Sequence, residues 1–192
     1  MGRGRRRGAG GQEPPASGAA GQDVEPDPEQ VARTIALRLL NHSARSRAQL
    51  AEAMAAKDVP HEVAEAVLDR FTEVGLIDDE EYARMLVRTR HAERGLSRRA
   101  IGVELRRRGI DDDLAVAALD EVDDAQEAQA ARALVRKRLA STRGLDTQVR
   151  ARRTFAALGR KGYAPGLVSK LVREELAAEG ADLDDEGIPS AD

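Results

Sequence analysis

Apolar residues recur along the middle of the chain at intervals of three and four. Val31, Ile35 and Leu39 share one helical face. So do Val63, Val67 and Phe71, then Tyr82, Met85, Leu86 and Thr89, then Ala131, Leu134, Val135 and Leu139. Such spacing predicts amphipathic helices. Val, Ile and aromatic residues never alternate with polar ones over any length, so no strand is expected. The boundary signals are helical too. Ser46 followed by Gln49 matches a capping box, whose hydroxyl and amide satisfy free N–H groups of a first turn. Asp78 and Asp111 stand where carboxylates favour the positive end of a helix dipole. Gly109 and Gly162 each follow a basic last turn, where helix exit calls for a positive φ.

The pattern repeats. Aligning Ser46-Arg-Ala-Gln-Leu50 with Ser97-Arg-Arg-Ala-Ile101, a shift of 51, pairs Met54 with Leu105, Lys57 with Arg108, Val59 with Ile110 and Leu68 with Leu119. A further shift of 53 carries Leu105 to Leu158, Arg108-Gly109-Ile110 to Lys161-Gly162-Tyr163, and Leu119 to Val172. Asp58 replaces the glycine in the first copy, and Arg150 stands where Ser46 and Ser97 do. With one leading helix added to each copy, the expected fold is all-α. It has nine helices in three tandem three-helix repeats, spanning 28–77, 78–123 and 124–178. Units of this size rely on their neighbours, so an elongated body follows, its curvature left open. Residues 1–27 are rich in Gly, Pro and Arg, and 179–192 are acidic with Gly187 and Pro189; both read as disordered tails.

Composition narrows the function. Apolar residues make up 41% of the chain but aromatics only 2%, which suits small Leu, Val and Ile seams better than one large core. Without a long apolar run or cysteine, no membrane span, signal peptide, disulfide or thiolate metal site is expected, which favours the cytoplasm. The net charge is only −3, but its distribution is uneven. Nine arginines lie between Arg84 and Arg108 against Glu93 and Glu104, and ten Lys or Arg lie between Arg132 and Lys161 against Asp146 alone. The acid is concentrated in short runs and in the tail after Glu179. Such segregation points to a polyanionic partner, with solvated helix surface as the plainer reading. Candidate partner or phosphate contacts are Arg84, Arg88, Arg90, Arg98, Arg99, Arg106, Arg107, Arg136, Lys137, Arg152 and Arg153.

Catalytic chemistry is not apparent. His42, His61 and His91 are far apart, without carboxylates at ligand spacing. The run Asp78-Asp79-Glu80-Glu81 is explained by a helix start. There is no phosphate loop, nucleophile elbow or Ser/His pairing. No enzyme activity, metal, cofactor or small-molecule substrate is therefore expected. Phe71, Tyr82, Phe155 and Tyr163 all lie on or beside apolar faces, so stacking platforms for bases are not expected either. Tyr82 is expected to pack against Leu76 and Ile77 as a structural residue.

One stretch is distinctive: Gly75-Leu-Ile-Asp78-Asp79-Glu-Glu-Tyr82-Ala83, followed by Val87-Arg88-x-Arg90. Upstream stand Ala36-Leu37-Arg38-Leu39-Leu40 and Arg45-Ser46-Arg47; downstream stands Leu105-Arg-Arg-Arg-Gly109-Ile110. This closely resembles the RecX family of bacterial regulatory proteins, over about 31–178. The resemblance implies tandem three-helix units, with Asp78, Asp79, Tyr82, Gly109 and Gly162 as structural motif positions. It also implies binding to the RecA recombinase, chiefly to its filament on single-stranded DNA, as a negative regulator. Filament growth, ATP hydrolysis, strand exchange and SOS repressor cleavage would be restrained, and no catalytic residues carry over. Weak direct DNA binding remains open, as does the alternative of a helical module acting on DNA by itself.

Overall fold

A computed structural model describes residues 27–181; the two tails assigned from sequence otherwise lie outside the described residues. Among these residues every regular element is a helix. The first unit holds α1 (Pro28–His42), α2 (Arg47–Ala55) and α3 (His61–Glu73). The second holds α4 (Asp79–Arg94), α5 (Arg98–Arg107) and α6 (Asp112–Leu119), and the third α7 (Asp124–Ala140), α8 (Thr147–Gly159) and α9 (Pro165–Ala178). All substantial helix packing lies within a unit, so there are three small cores rather than one. Leu50, Met54 and Leu68 anchor the first, Val87, Ile101 and Leu105 the second, and Val135, Leu158, Val172 and Leu176 the third. Each such side chain contributes about 1.5–3 kcal/mol by leaving water.

The register read from sequence is the register of the cores. Met54, Leu105 and Leu158 are all buried at the same position of the second helix, and Val59, Ile110 and Tyr163 at the exit from it. Ser46 and Gln49 form the capping box; Asp78 accepts from the Glu81 N–H and Asp111 from the Asp113 N–H. Gly109 and Gly162 have φ of +71° and +86°, and Asp58 adopts +57° at the matching turn. The third copy differs at one end. Its α8 begins a turn early, at Thr147 behind the Asp146 cap, so Arg150 lies inside the helix where Ser46 and Ser97 are caps. Glu179 and Ala181, assigned to the acidic tail from sequence, belong to the ordered body. Glu179 pairs with the buried Arg150, and Ala181 packs on the third core.

Two equivalent joints link the units. At the first, the Ser46 hydroxyl donates to the Arg108 carbonyl (2.6 Å), while the Arg47 N–H donates to the Asp79 carboxylate (2.8 Å). At the second, the Ser97 N–H donates to the Lys161 carbonyl (3.0 Å), and the Arg98 N–H donates to Glu127 (2.9 Å). In both, the start of one unit's second helix sits on the end of the next unit's second helix. The joint glycines are there for contact as well as for φ. A Cβ on Gly109 would lie 2.3 Å from the Ala48 Cβ, and one on Gly162 2.6 Å from the Ser97 Oγ. The two chains of helices meet too closely for any side chain.

Candidate polyanion-binding groove

The structure divides the candidate cations into two sets. Those of α4 are mostly spent at home. Arg84 pairs with Glu80 and Glu121, and Arg88 with Glu81. Arg90 grips Glu104 with two bonds of 2.8 Å, its side chain only 14% exposed. The Arg90 bond, reinforced by Arg108, lowers the Glu104 carboxyl to about 2. Arg90 thus ties α4 to α5, its planar fork filled by a bidentate pair. Arg98 pairs with Asp120 of its own unit and, across the second joint, with Asp124, and Arg136 binds Glu175 at 2.7 Å. These arginines share their charge with a carboxylate of the protein itself, so each offers less to an outside anion than an unpaired one.

The other set has no such tie. Arg99, Arg106, Arg107, Lys137, Arg152 and Arg153 are exposed, and no carboxylate among the described residues pairs with them. Their placement follows the repeat: the shift of 53 puts Arg99 on Arg152 and Arg107 on Arg160. The second helices of the second and third units therefore show matching basic faces. The first unit has Ala48 and Ala56 at those places and contributes none.

Where these units meet lies an open groove of about 710 Å³. Ala130, Ala133, Leu134 and Ala157 line it, and Leu134 approaches to 3.0 Å from where a Gly95 Cβ would be. Arg94, Lys137, Arg138 and Lys161 also line it, with Glu93 the one carboxylate among its lining residues. Lys161 donates to the Arg94 carbonyl at the end of α4, while the side chains of Arg94, Lys137 and Arg138 have no partner within the described residues. Apolar walls lower the local dielectric, so three uncompensated cations act on an anion there more strongly than on open surface.

The distinctive Asp-Asp stretch proves to be a joint element. Asp78 caps α4 and Asp79 receives the Arg47 N–H; burial pushes the Asp79 carboxyl above its ordinary range. No group of three or more potential metal ligands occurs among the described residues, and none of their helices is long and apolar enough to cross a membrane. Tyr82 is buried as expected, but Leu76 is half exposed and the phenol faces the joint. Arg108 donates to the Tyr82 oxygen and lies over its ring at 5.9 Å, while the hydroxyl donates to Gln49 of the first unit at 3.3 Å.

Comparison with known proteins bears on this joint-linked series of units. Residues 32–71 match the first three-helix domain of RecX, 78–119 the second and 124–172 the third. The chain belongs to the RecX family. The regulatory protein RecX of Thermobifida fusca is 52% identical over 171 residues, covering 89% of this chain and 90% of its own. That of Streptomyces coelicolor is 47% identical over 165 residues, covering 84% and 88%. In three dimensions, RecX from Lactobacillus salivarius superposes with a TM-score of 0.69 at 21% identity, over 79% of this chain and 98% of that one. That likeness shows the shared RecX fold. Sequence reasoning did not single out Arg94, Arg138 and Lys161 as site residues. Only the approach of the end of α4 to α7 and α8 at the groove sets them beside Lys137.

Proposed function

We propose that this RecX-family protein is a negative regulator of RecA. It binds the RecA filament on single-stranded DNA and restrains filament growth, ATP hydrolysis, strand exchange and repressor cleavage. The observations that carry this reading are the matched pair of unpaired basic faces on α5 and α8 and the cationic groove between the second and third units. A repeating array of cations on rigid units suits a partner that is itself a repeating polyanion. Protein and DNA backbone both offer acid in such a filament, and arginine serves either by paired hydrogen bonds. Bound there, the protein acts by occluding incoming DNA or by favouring one filament state.

The alternative, a module that reads DNA by itself, is disfavoured by the third helix of the first two units. In three-helix DNA-binding units that helix enters the major groove. Here α3 carries Glu62, Glu65, Asp69 and Glu73, and α6 carries Asp112 and Asp113. The test is ATP hydrolysis by RecA of the same organism on single-stranded DNA. Inhibition that rising salt relieves supports the proposal; hydrolysis and strand exchange at full rate with this protein in excess at low salt end it.

A further inference from the structure

Two observations meet at the end of α9. The groove between the second and third units holds Arg94, Lys137 and Arg138, whose side chains pair with no carboxylate among the described residues. The chain leaves the described structure close by. Arg150 donates both to the Leu139 carbonyl (3.2 Å), at the end of α7, and to Glu179 (2.5 Å), at the end of α9. Glu179 thus lies within one side chain of the helix end that bears Lys137 and Arg138. Ala181 is packed on the third core two residues on. Beyond it stand eleven residues, Asp182 to Asp192, with five carboxylates, no Lys or Arg, and apolar Leu183 and Ile188 among them.

We infer that residues 182–192 are an intramolecular occupant of this groove, competing with the polyanion that the groove binds. Charge complementarity and reach carry the inference. Eleven residues extend to about 35 Å, and Glu179 already lies within one side chain of the end of α7. In composition the segment complements the groove: its carboxylates are opposite in charge to the cations, and Leu183 and Ile188 are apolar like the Ala and Leu walls. Each exposed ion pair is worth only about 0.2–1 kcal/mol. Tethering compensates, since a group joined to the body by a short linker acts at an effective concentration on the order of millimolar. The tail therefore lowers the apparent affinity of an outside anion modestly and makes it more sensitive to salt. A strong polyanion displaces it, whereas a short or sparse one does not. The competition rests on the proposed polyanion site, but docking of the tail can be observed without RecA or DNA.

The test uses the full chain with Ser190→Cys, which introduces its only cysteine, carrying a nitroxide. Amide signals of Ala133, Leu134 and Lys137 should broaden at low salt. They should recover in 1 M salt, where charge interactions are screened beyond about 3 Å. Replacing Asp182, Asp184, Asp185 and Glu186 by Asn or Gln should abolish the broadening. No selective broadening of groove residues, or broadening that survives neutralisation, overturns the inference. A second measurement follows an oligothymidine probe. The chain ending at Ala181 should bind about three- to tenfold tighter than the full chain, and Lys137→Ala with Arg138→Ala should erase that difference. Equal binding by both chains overturns the competition. A docked tail in a protein that leaves RecA unaffected would refute the proposed function alone.

Discussion

Two tyrosines at buried positions should respond in opposite ways to loss of a hydroxyl. Tyr82 gives its oxygen to Arg108 and its proton to Gln49 across the first joint. Tyr82→Phe should cost about 1–2 kcal/mol, because a hydrogen bond involving a charged partner is lost. Tyr163 takes the place of Val59 and Ile110, and no protein group among the described residues pairs with its hydroxyl, whose pKa burial raises to about 12. Tyr163→Phe should leave stability within about 0.5 kcal/mol or raise it. Denaturant melts of the two variants check both expectations. Sequence periodicity placed each ring correctly and missed the distinction, because a phenol oxygen finds its partner only when distant segments meet. Glu104 yields a pH prediction. Its folded carboxyl titrates at about 2 rather than the ordinary 4.5, so its pairing stabilises the fold above 4.5 and is lost as pH falls from there towards 2. Asp79 works in the other direction, its carboxyl being raised by burial. The melting temperature of Glu104→Gln should therefore be lower at neutral pH and fall less than that of the parent below pH 4.5; parallel acid curves would remove Glu104 from the account.

At the scale of elements, the helix ends were legible because caps and αL glycines are local chemistry. Ser46, Asp78, Asp111, Gly109 and Gly162 all perform the end roles that their residue types announce. What a local pattern does not disclose is a contact across units. Gly109→Ala and Gly75→Ala separate the two demands. Both sites have φ above +70°, but a Cβ at Gly75 meets nothing within 4 Å. Gly75→Ala should cost about 1–2 kcal/mol from conformation alone. Gly109→Ala should cost clearly more and loosen the joint, which equal losses in a thermal melt would contradict. The end of α9 is the other case. Arg150 is buried and depends on Glu179, so breaking the pair leaves a charge without its partner. A fragment of residues 28–178 should melt earlier than one of 27–181, by an amount that Glu179→Ala reproduces in the full chain. Identical melts would show that α9 ends independently of Arg150.

At the scale of the whole molecule, three copies and their order were visible in the two shifts of 51 and 53, whereas the groove was not. Counting arginines overstates the accessible charge, since internal carboxylates neutralise Arg84, Arg88, Arg90, Arg98 and Arg136. Replacing Arg106 and Arg107 by Ala, with Arg108 kept for the Tyr82 joint, should retain the melting temperature. It should flatten the log–log salt dependence of partner binding by roughly one for each phosphate left without its arginine. An unchanged slope would place that face outside the interface. The two joints also define where the series stops. Unit one has Asp58 with its side chain where Gly109 and Gly162 admit a neighbour, and Pro28 where α4 begins with Asp79. Unit three has Arg150 and Glu179 where Ser46 and Ser97 reach forward. A tandem duplication that appended a fourth copy of either terminal unit would thus arrive without a seat. Lengthening this protein in evolution would require the middle unit, whose two ends both fit, to be the one copied.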